Sequence, residues 1–456
     1  MLAQIIAVVI FLAMFVFIVM DKIERQIVTL VCGLLMMVLV FGLCMHSLPA
    51  IWETLNVKSI FSAHFWYQSG NAAEASTGIN WETIIFIAGM MIMVEGMAAA
   101  GFFRWLCMEL AKLVHYRTIP IFMAFMVMSS LLAMFIDSIT VILFLAAVTI
   151  ELSRLLHFDP IPMILTEVFC ANLGGSATMC GDPPNIIIGT SLGYSFFDFL
   201  DNTGLLAGIS LIFVLIFFYF AFRGELKDAH ATPEEIAAMP APKEAITNKT
   251  SFIISTIIFL CAIVLLVSHA ETGLTVSTIG VFIALLTLIT SGKNAINLLK
   301  KVDYKTLLFF VGLFIVVGGL EQTGILKLIA EFIGKVSGGN VMLMIAIILW
   351  VSAIASAFID NIPYVAAMLP VVQGVAALMN GGAGIEPELF YFGLLTGATL
   401  GGNLTPIGAS ANIAAIGILR KNGETVRTRD FLRIGVPFTL AAVLVGAGSL
   451  WLFWGI

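Results

Sequence analysis

Phe135-Ile136-Asp137-Ser138-Ile139 returns 223 positions later as Phe358-Ile359-Asp360-Asn361-Ile362. Gly174-Gly175-Ser176-Ala177-Thr178 returns 227 positions later as Gly401-Gly402-Asn403-Leu404-Thr405. Gly181 and Asn185 match Gly408 and Asn412 at the same 227, and upstream Thr83, Gly89 and Gly101 match Thr306, Gly312 and Gly324 at 223. A four-residue insertion within Gly381-Gly382-Ala383-Gly384 accounts for the change of offset. One unit therefore occurs twice, and in each copy a polar tip and a glycine-rich break interrupt apolar sequence.

The surroundings of that unit fix its solvent. The chain has 456 residues, of which 60% are hydrophobic and 11% charged. No soluble domain of this size hides that much apolar surface, so the fold class is an all-α polytopic membrane protein. Its apolar runs are near twenty residues, suited to helices rather than to the alternating strands of a barrel. Six cysteines stand singly without metal-ligand spacing and read as packing residues. Met1–Met20 lacks a basic n-region and a small-residue cleavage site, so it reads as a retained first helix. The net charge of −6 says little, because what matters in a membrane is where the charges lie, and no nucleic-acid partner is expected.

Twelve apolar spans are legible: Leu2–Met20, Ile27–Met45, Trp81–Ala100, Ile119–Leu156, Ile161–Gly193, Leu205–Phe222, Ser251–Ser268, Leu274–Ser291, Thr306–Glu321, Val341–Met379, Leu389–Leu419 and Ile434–Phe453. Ile119–Leu156 and Val341–Met379 are too long for one crossing and carry a polar tip mid-run, as re-entrant hairpins do. With both as hairpins and the N-terminus outside, 19 of the 22 basic residues fall on the cytoplasmic side, leaving Lys58, Lys327 and Lys335 outside. That bias is what the positive-inside rule demands, and it fixes about ten crossings with both termini outside. Non-helical backbone at membrane depth survives only where protein or a wet cavity satisfies it. The first unit then begins outside near Trp81 and the second inside near Tyr304, so the repeats are inverted. Inverted repeats with discontinuous helices indicate a secondary transporter whose site lies near the midplane.

The expected division is scaffold helices and the first repeat start over 1–100, and a first transport half over 101–204 with hairpin 119–156 and broken helix 161–193. Scaffold helices with a cytoplasmic linker (223–250) occupy 205–324. A second transport half spans 325–433, with hairpin 341–379 and broken helix 389–419, before a terminal helix over 434–456. The linker is expected to contain a short surface helix. Phe102–Tyr116 and Ile325–Val336 are expected to lie along the membrane surface, and His46–Asn80 to cap the outside.

Asp137, Asp182 and Asp360 fall inside the broken elements. A charge at the bilayer centre costs roughly 2.5–3.5 kcal/mol on insertion scales, so each needs a partner or a wet cavity. Neither tip nor either break contains Lys, Arg or His. Cations or protons are then the natural partners, with Asp137, Ser138, Asp360 and Asn361 as Na⁺ candidates. The plainer reading is that the aspartates only cap helix N-termini. Thr140 stands in the first tip opposite Pro363 in the second. In the breaks, glycines (Gly174, Gly175, Gly401, Gly402) let the backbone turn or approach a ligand. Ser176, Thr178, Asn185, Asn403, Thr405, Ser410 and Asn412 add neutral donors and acceptors. Glu95 and Glu167 lie within spans without acidic counterparts and are candidate proton sites or neutral hydrogen-bonded groups.

FIDSITVILFLAAVTI (Phe135–Ile150) and GGSATMCGDPPN (Gly174–Asn185), with SAFIDNIPYVAAMLPVV (Ser356–Val372) and GGNLTPIGASAN (Gly401–Asn412), resemble the P protein (pink-eyed dilution) branch of the ArsB/NhaD ion-transporter superfamily. More distantly the chain is similar to the divalent-anion/sodium symporters, whose tips carry Ser-Asn-Thr where this chain has Asp137-Ser138-Ile139 and Asp360-Asn361-Ile362. That resemblance implies one sodium site from Asp137, Ser138 and the Gly174–Thr178 backbone, and another from Asp360, Asn361 and Gly401–Thr405. It also implies a homodimer with scaffold and mobile transport domains, moving as an elevator. An acid replaces the serine in both tips, so the resemblance does not carry dicarboxylate binding across.

The function expected is ion-coupled secondary transport of a small ion or anion across the cell (inner or plasma) membrane, either Na⁺/H⁺ exchange or Na⁺-coupled anion transport. No cofactor is expected beyond Na⁺ or H⁺ as coupling ion. The alternatives are an arsenite or oxyanion efflux permease, though the Asn-Asp-Gly tip of arsenite permeases is missing, and a passive channel. An enzyme is not expected. Asp182 follows Met179-Cys180-Gly181 rather than the Gly-x-Gly of intramembrane aspartyl proteases.

Overall fold

The computed structural model describes residues 1–20, 22–68, 78–226, 240–379 and 387–454. The insertion expected at Gly381–Gly384 and residues 227–239 of the linker lie outside them. Among the described residues the regular structure is helical, apart from an isolated bridge between Tyr67 and Leu274.

Two helices, α1 (Leu2–Met20) and α2 (Arg25–Leu35), open the chain, and α2 runs on as a π-helical stretch, Met36–Cys44. The first unit follows as α3 (Trp81–Ala100), α4 (Phe102–Leu113), α5 (Thr118–Ala133), α6 (Ser138–Leu156), α7 (Pro160–Gly175) and α8 (Pro183–Leu192). Between the units lie α9 (Leu205–Leu226), α10 (Lys249–Val267) and α11 (Val276–Ser291). The second unit is α12 (Tyr304–Gln322), α13 (Ile325–Val336), α14 (Val341–Ser356), α15 (Asn361–Met379), α16 (Glu388–Gly401) and α17 (Ser410–Lys421), before α18 (Thr428–Trp454).

The duplication holds to the residue. Helices α3 to α6 begin 223 positions before α12 to α15, and α8 begins 227 before α17. The aligned Gly101 and Gly324 end their crossings at φ +88° and +74°, a left-handed turn that only glycine makes at little cost. That turn swings the chain into α4 or α13, whose apolar residues lie on one side.

Packing repeats as well. Helix α3 lies on α11 as α12 lies on α2, and α5 on α7 as α14 on α16. The hairpins interlock across the halves: α6 packs on α17, and α15 on α8. A Cβ on Gly174 would lie 2.1 Å from the Ser130 carbonyl oxygen, and one on Gly401 2.3 Å from that of Ala353. Both glycines therefore press a broken helix against the backbone of its own hairpin.

Among the described residues, ten helices are long and apolar enough to cross a membrane. Eight are the expected unbroken crossings. The other two are Ser138–Leu156 and Asn361–Leu378, the second arms of the hairpins. The remaining crossings are the broken pairs α7/α8 and α16/α17, each in two short pieces. Length alone would make the hairpin arms cross. Hydrogen bonds decide otherwise, because each tip is bonded to the break halfway along its neighbouring crossing. Thr178 Oγ1 donates to the Met134 carbonyl, and Thr405 Oγ1 to that of Ala357. The tips therefore lie at the depth of the breaks, where the hairpins turn back.

Candidate functional site

Four helix N-termini meet at one small cavity. Its lining includes Ser138 at the start of α6, Pro183 of α8, Asn361 of α15 and Ser410 of α17, with Asp137 and Asp182 beside them. Both tips and both breaks thus converge, one pair from each half. Each N-terminus contributes roughly half a positive charge, which favours the carboxylates gathered around them.

In the first half Asp137 caps α6: its Oδ2 accepts Thr140 N–H at 3.1 Å and the Thr140 hydroxyl at 2.9 Å. Asp182 precedes α8, yet its side chain makes no bond to its own helix. Its Oδ1 instead accepts Ser138 N–H, at 3.3 Å, across the cavity. Its Oδ2 is buried without a partner, in a residue only 2% exposed. An ionised oxygen left so is unfavourable in a low-dielectric interior.

The second half is built differently. Asp360 Oδ1 accepts Ile362 N–H at 3.2 Å, while Oδ2 accepts the Ser410 hydroxyl and the Arg25 guanidinium, the latter at 3.0 Å. Arg25 Nη1 also reaches Ser410 Oγ at 3.0 Å. The sequence placed no cation in either motif, and none is there. The cation comes instead from the first turn of α2, 335 residues away.

Several expected site residues hold the breaks rather than line the cavity. Asn185 Nδ2 donates to the Gly175 and Thr178 carbonyls at 2.9 and 2.5 Å. Asn412 Nδ2 donates to those of Gly402 and Thr405, both at 2.9 Å. These matched staples tie the two sides of each unwound segment. Ser176 Oγ donates to the Leu173 carbonyl at 2.7 Å. Asn403 joins the halves: Asn172 Nδ2 donates to Asn403 Oδ1 at 2.7 Å and to Asn412 Oδ1 at 3.2 Å. Asn172 lines the cavity and was not singled out from the sequence. Its signal was a polar residue in an apolar run with a polar counterpart, Thr399, 227 positions on.

The two glutamates lie elsewhere. Glu95 pairs with Lys301 at 3.3 Å, at the end of α3. Glu167 is fully buried within the first hairpin and broken helix, where its Oε1 accepts the Thr149 hydroxyl at 2.6 Å and its Oε2 has no partner. Neither lines the cavity.

Comparison with known proteins agrees with this architecture. A 46 kDa membrane protein of Mycobacterium leprae is 30% identical over 451 residues, covering 98% of both chains. The human P protein is 27% identical over 446 residues, covering 81% of this chain and 53% of its own. The crystal structure of the YdaH transporter of Alcanivorax borkumensis, described as having an unusual topology, superposes with a TM-score of 0.60 at 13% identity, covering 94% of this chain and 97% of that one. The citrate transporter family model matches residues 15–397. This duplicated membrane protein, with its paired tips and breaks, belongs to the citrate transporter family.

Proposed function

We propose that the chain is an ion-coupled secondary active transporter of the cell membrane, in which a cation or proton binding at the tip cavity drives uptake of a small anion. The observation that carries this reading is the unpartnered Asp182 Oδ2, buried at the cavity where both tips and both breaks meet. A site of that kind is incomplete without a small positive species. Four helix N-termini around the same space suit an anion bound beside it. The family description makes citrate the first anion to test. Na⁺/H⁺ exchange is the second reading, favoured by the three carboxylates Asp137, Asp182 and Asp360 and by the small size of the cavity.

In this reading α5–α8 and α14–α17 form the moving part and the remaining crossings the scaffold. The protein acts as a homodimer with both termini outside, and each tip shares its cation with the break beside it. A membrane potential supplies roughly 2.3 kcal/mol per charge per 100 mV. The test is reconstitution into liposomes, with Na⁺, H⁺ and potential gradients imposed singly. Citrate uptake should require a cation gradient and be lost in Asp182→Asn. Uptake that runs at full rate without a coupling gradient, or in that variant, would refute the proposal.

A further inference from the structure

The two half-sites are related by the duplication yet differ in charge. Position 182 holds an aspartate and its counterpart 409 an alanine, while Thr140, whose hydroxyl bonds Asp137, is replaced by Pro363. The first half-site thus has two carboxylates, and among the described residues no ion pair reaches either. The second has one carboxylate, Asp360, 4% exposed and bonded by a guanidinium.

We infer that Arg25 occupies the cation position of the second half-site, so that a sodium-sized monovalent cation binds at Asp360 only after Arg25 withdraws. The inference rests on the proposed function and deepens it by saying which half-site is open. Both ions neutralise the same oxygen: Arg25 Nη1 lies 3.0 Å from Asp360 Oδ2 and 3.0 Å from Ser410 Oγ, the two oxygens a cation would take there. Oδ2 already accepts from the guanidinium and the Ser410 hydroxyl, so a second cation there would meet the Arg25 charge at close range. The pair also bridges elements that do not share a hairpin. Arg25 stands on the first turn of α2, packed on α12, whereas Asp360 sits at the tip between α14 and α15. Withdrawal of Arg25 strands a buried carboxylate, which is strongly unfavourable unless another cation replaces it. In the first half-site no such withdrawal is needed.

The test is equilibrium binding of radioactive Na⁺ to the purified full-length protein, with choline replacing Na⁺. Arg25→Ala should bind one further Na⁺ per protomer than the parent, and Asp360→Asn added to it should remove that gain. Arg25→Lys, which keeps a positive charge, should show no gain. If Arg25→Ala does not purify, Arg25→Gln removes the charge while keeping a hydrogen-bond donor and is read in the same way. Equal Na⁺ binding in the parent and the charge-removing variant, or a gain that survives Asp360→Asn, overturns the inference. A parent whose uptake ignores every cation gradient removes the proposed function instead, whatever Arg25→Ala binds.

Discussion

Gly175→Ala separates a role for Asp182 at the cavity from a merely structural one. A Cβ added at Gly175 would lie 2.3 Å from Asp182 Oδ2, 2.6 Å from Cγ and 2.9 Å from Oδ1, whereas ordinary contact begins near 3.4 Å. The carboxylate must therefore retreat by about 1 Å, since contacts this short are strongly repulsive. It stands at the end of a side chain that can rotate, so the fold survives and the loss falls on the site. Overpacking of this kind costs about 1–3 kcal/mol. If half of it appears as lost cation affinity, the half-saturating Na⁺ concentration for uptake rises by roughly 2- to 12-fold. The matched substitution Gly402→Ala is the internal control, because the nearest atoms to its Cβ would be the Gly408 carbonyl oxygen at 3.0 Å and Ala409 Cβ at 3.3 Å. It should change the Na⁺ dependence several-fold less. The assay is Na⁺-driven uptake into liposomes carrying equal amounts of each protein. Unchanged Na⁺ dependence in Gly175→Ala, or equal damage from both substitutions, would refute the role given to Asp182.

Gly174→Ala and Gly401→Ala should fail at the level of the fold, because their Cβ atoms would meet backbone at 2.1 and 2.3 Å. A loss of about 2 kcal/mol or more, read as a lowered melting temperature and yield in detergent, is expected for each. Asp137→Asn and Asp360→Asn should purify as folded protein yet lose coupled uptake, and full uptake in either reconstituted variant contradicts the placement of the coupling site at the tips. Lys243 should be shielded from an impermeant external amine reagent in intact cells while Lys58 reacts, because the basic-residue bias places them on opposite sides; the reverse pattern inverts the topology.

The duplication made most of the fold legible, because a helix boundary read in one copy could be checked in the other. Gly101 and Gly324 were visible as an aligned pair, and both prove to be left-handed helix ends. The resemblance to the P protein branch was likewise carried by the tips and breaks, and the human P protein is among the relatives. The π-helical Met36–Cys44 gave no sequence signal, being a uniformly apolar run.

At the cavity, residue type and spacing pointed to the tips and breaks that converge there, but not to which atoms bond within them. Asn185 and Asn412 matched as polar residues, yet only the folded structure shows that they staple backbone. Arg25 was the larger omission. Its charge was already accounted for by the positive-inside count, and its partner lies 335 positions away, beyond any local pattern. The asymmetry between Asp182 and Ala409 was in the sequence throughout, but its meaning depended on seeing which oxygen lacks a partner.

The most direct measurement is a cryo-EM map of the protein in a lipid nanodisc with Na⁺ present, in which the lipid shell gives the depth of every residue. It should place Asp137 and Asp360 together near mid-bilayer, each against its own glycine break, with a density peak beside Asp182 Oδ2. A map that puts the two tips on opposite faces of the bilayer, or turns them toward lipid, would contradict the account.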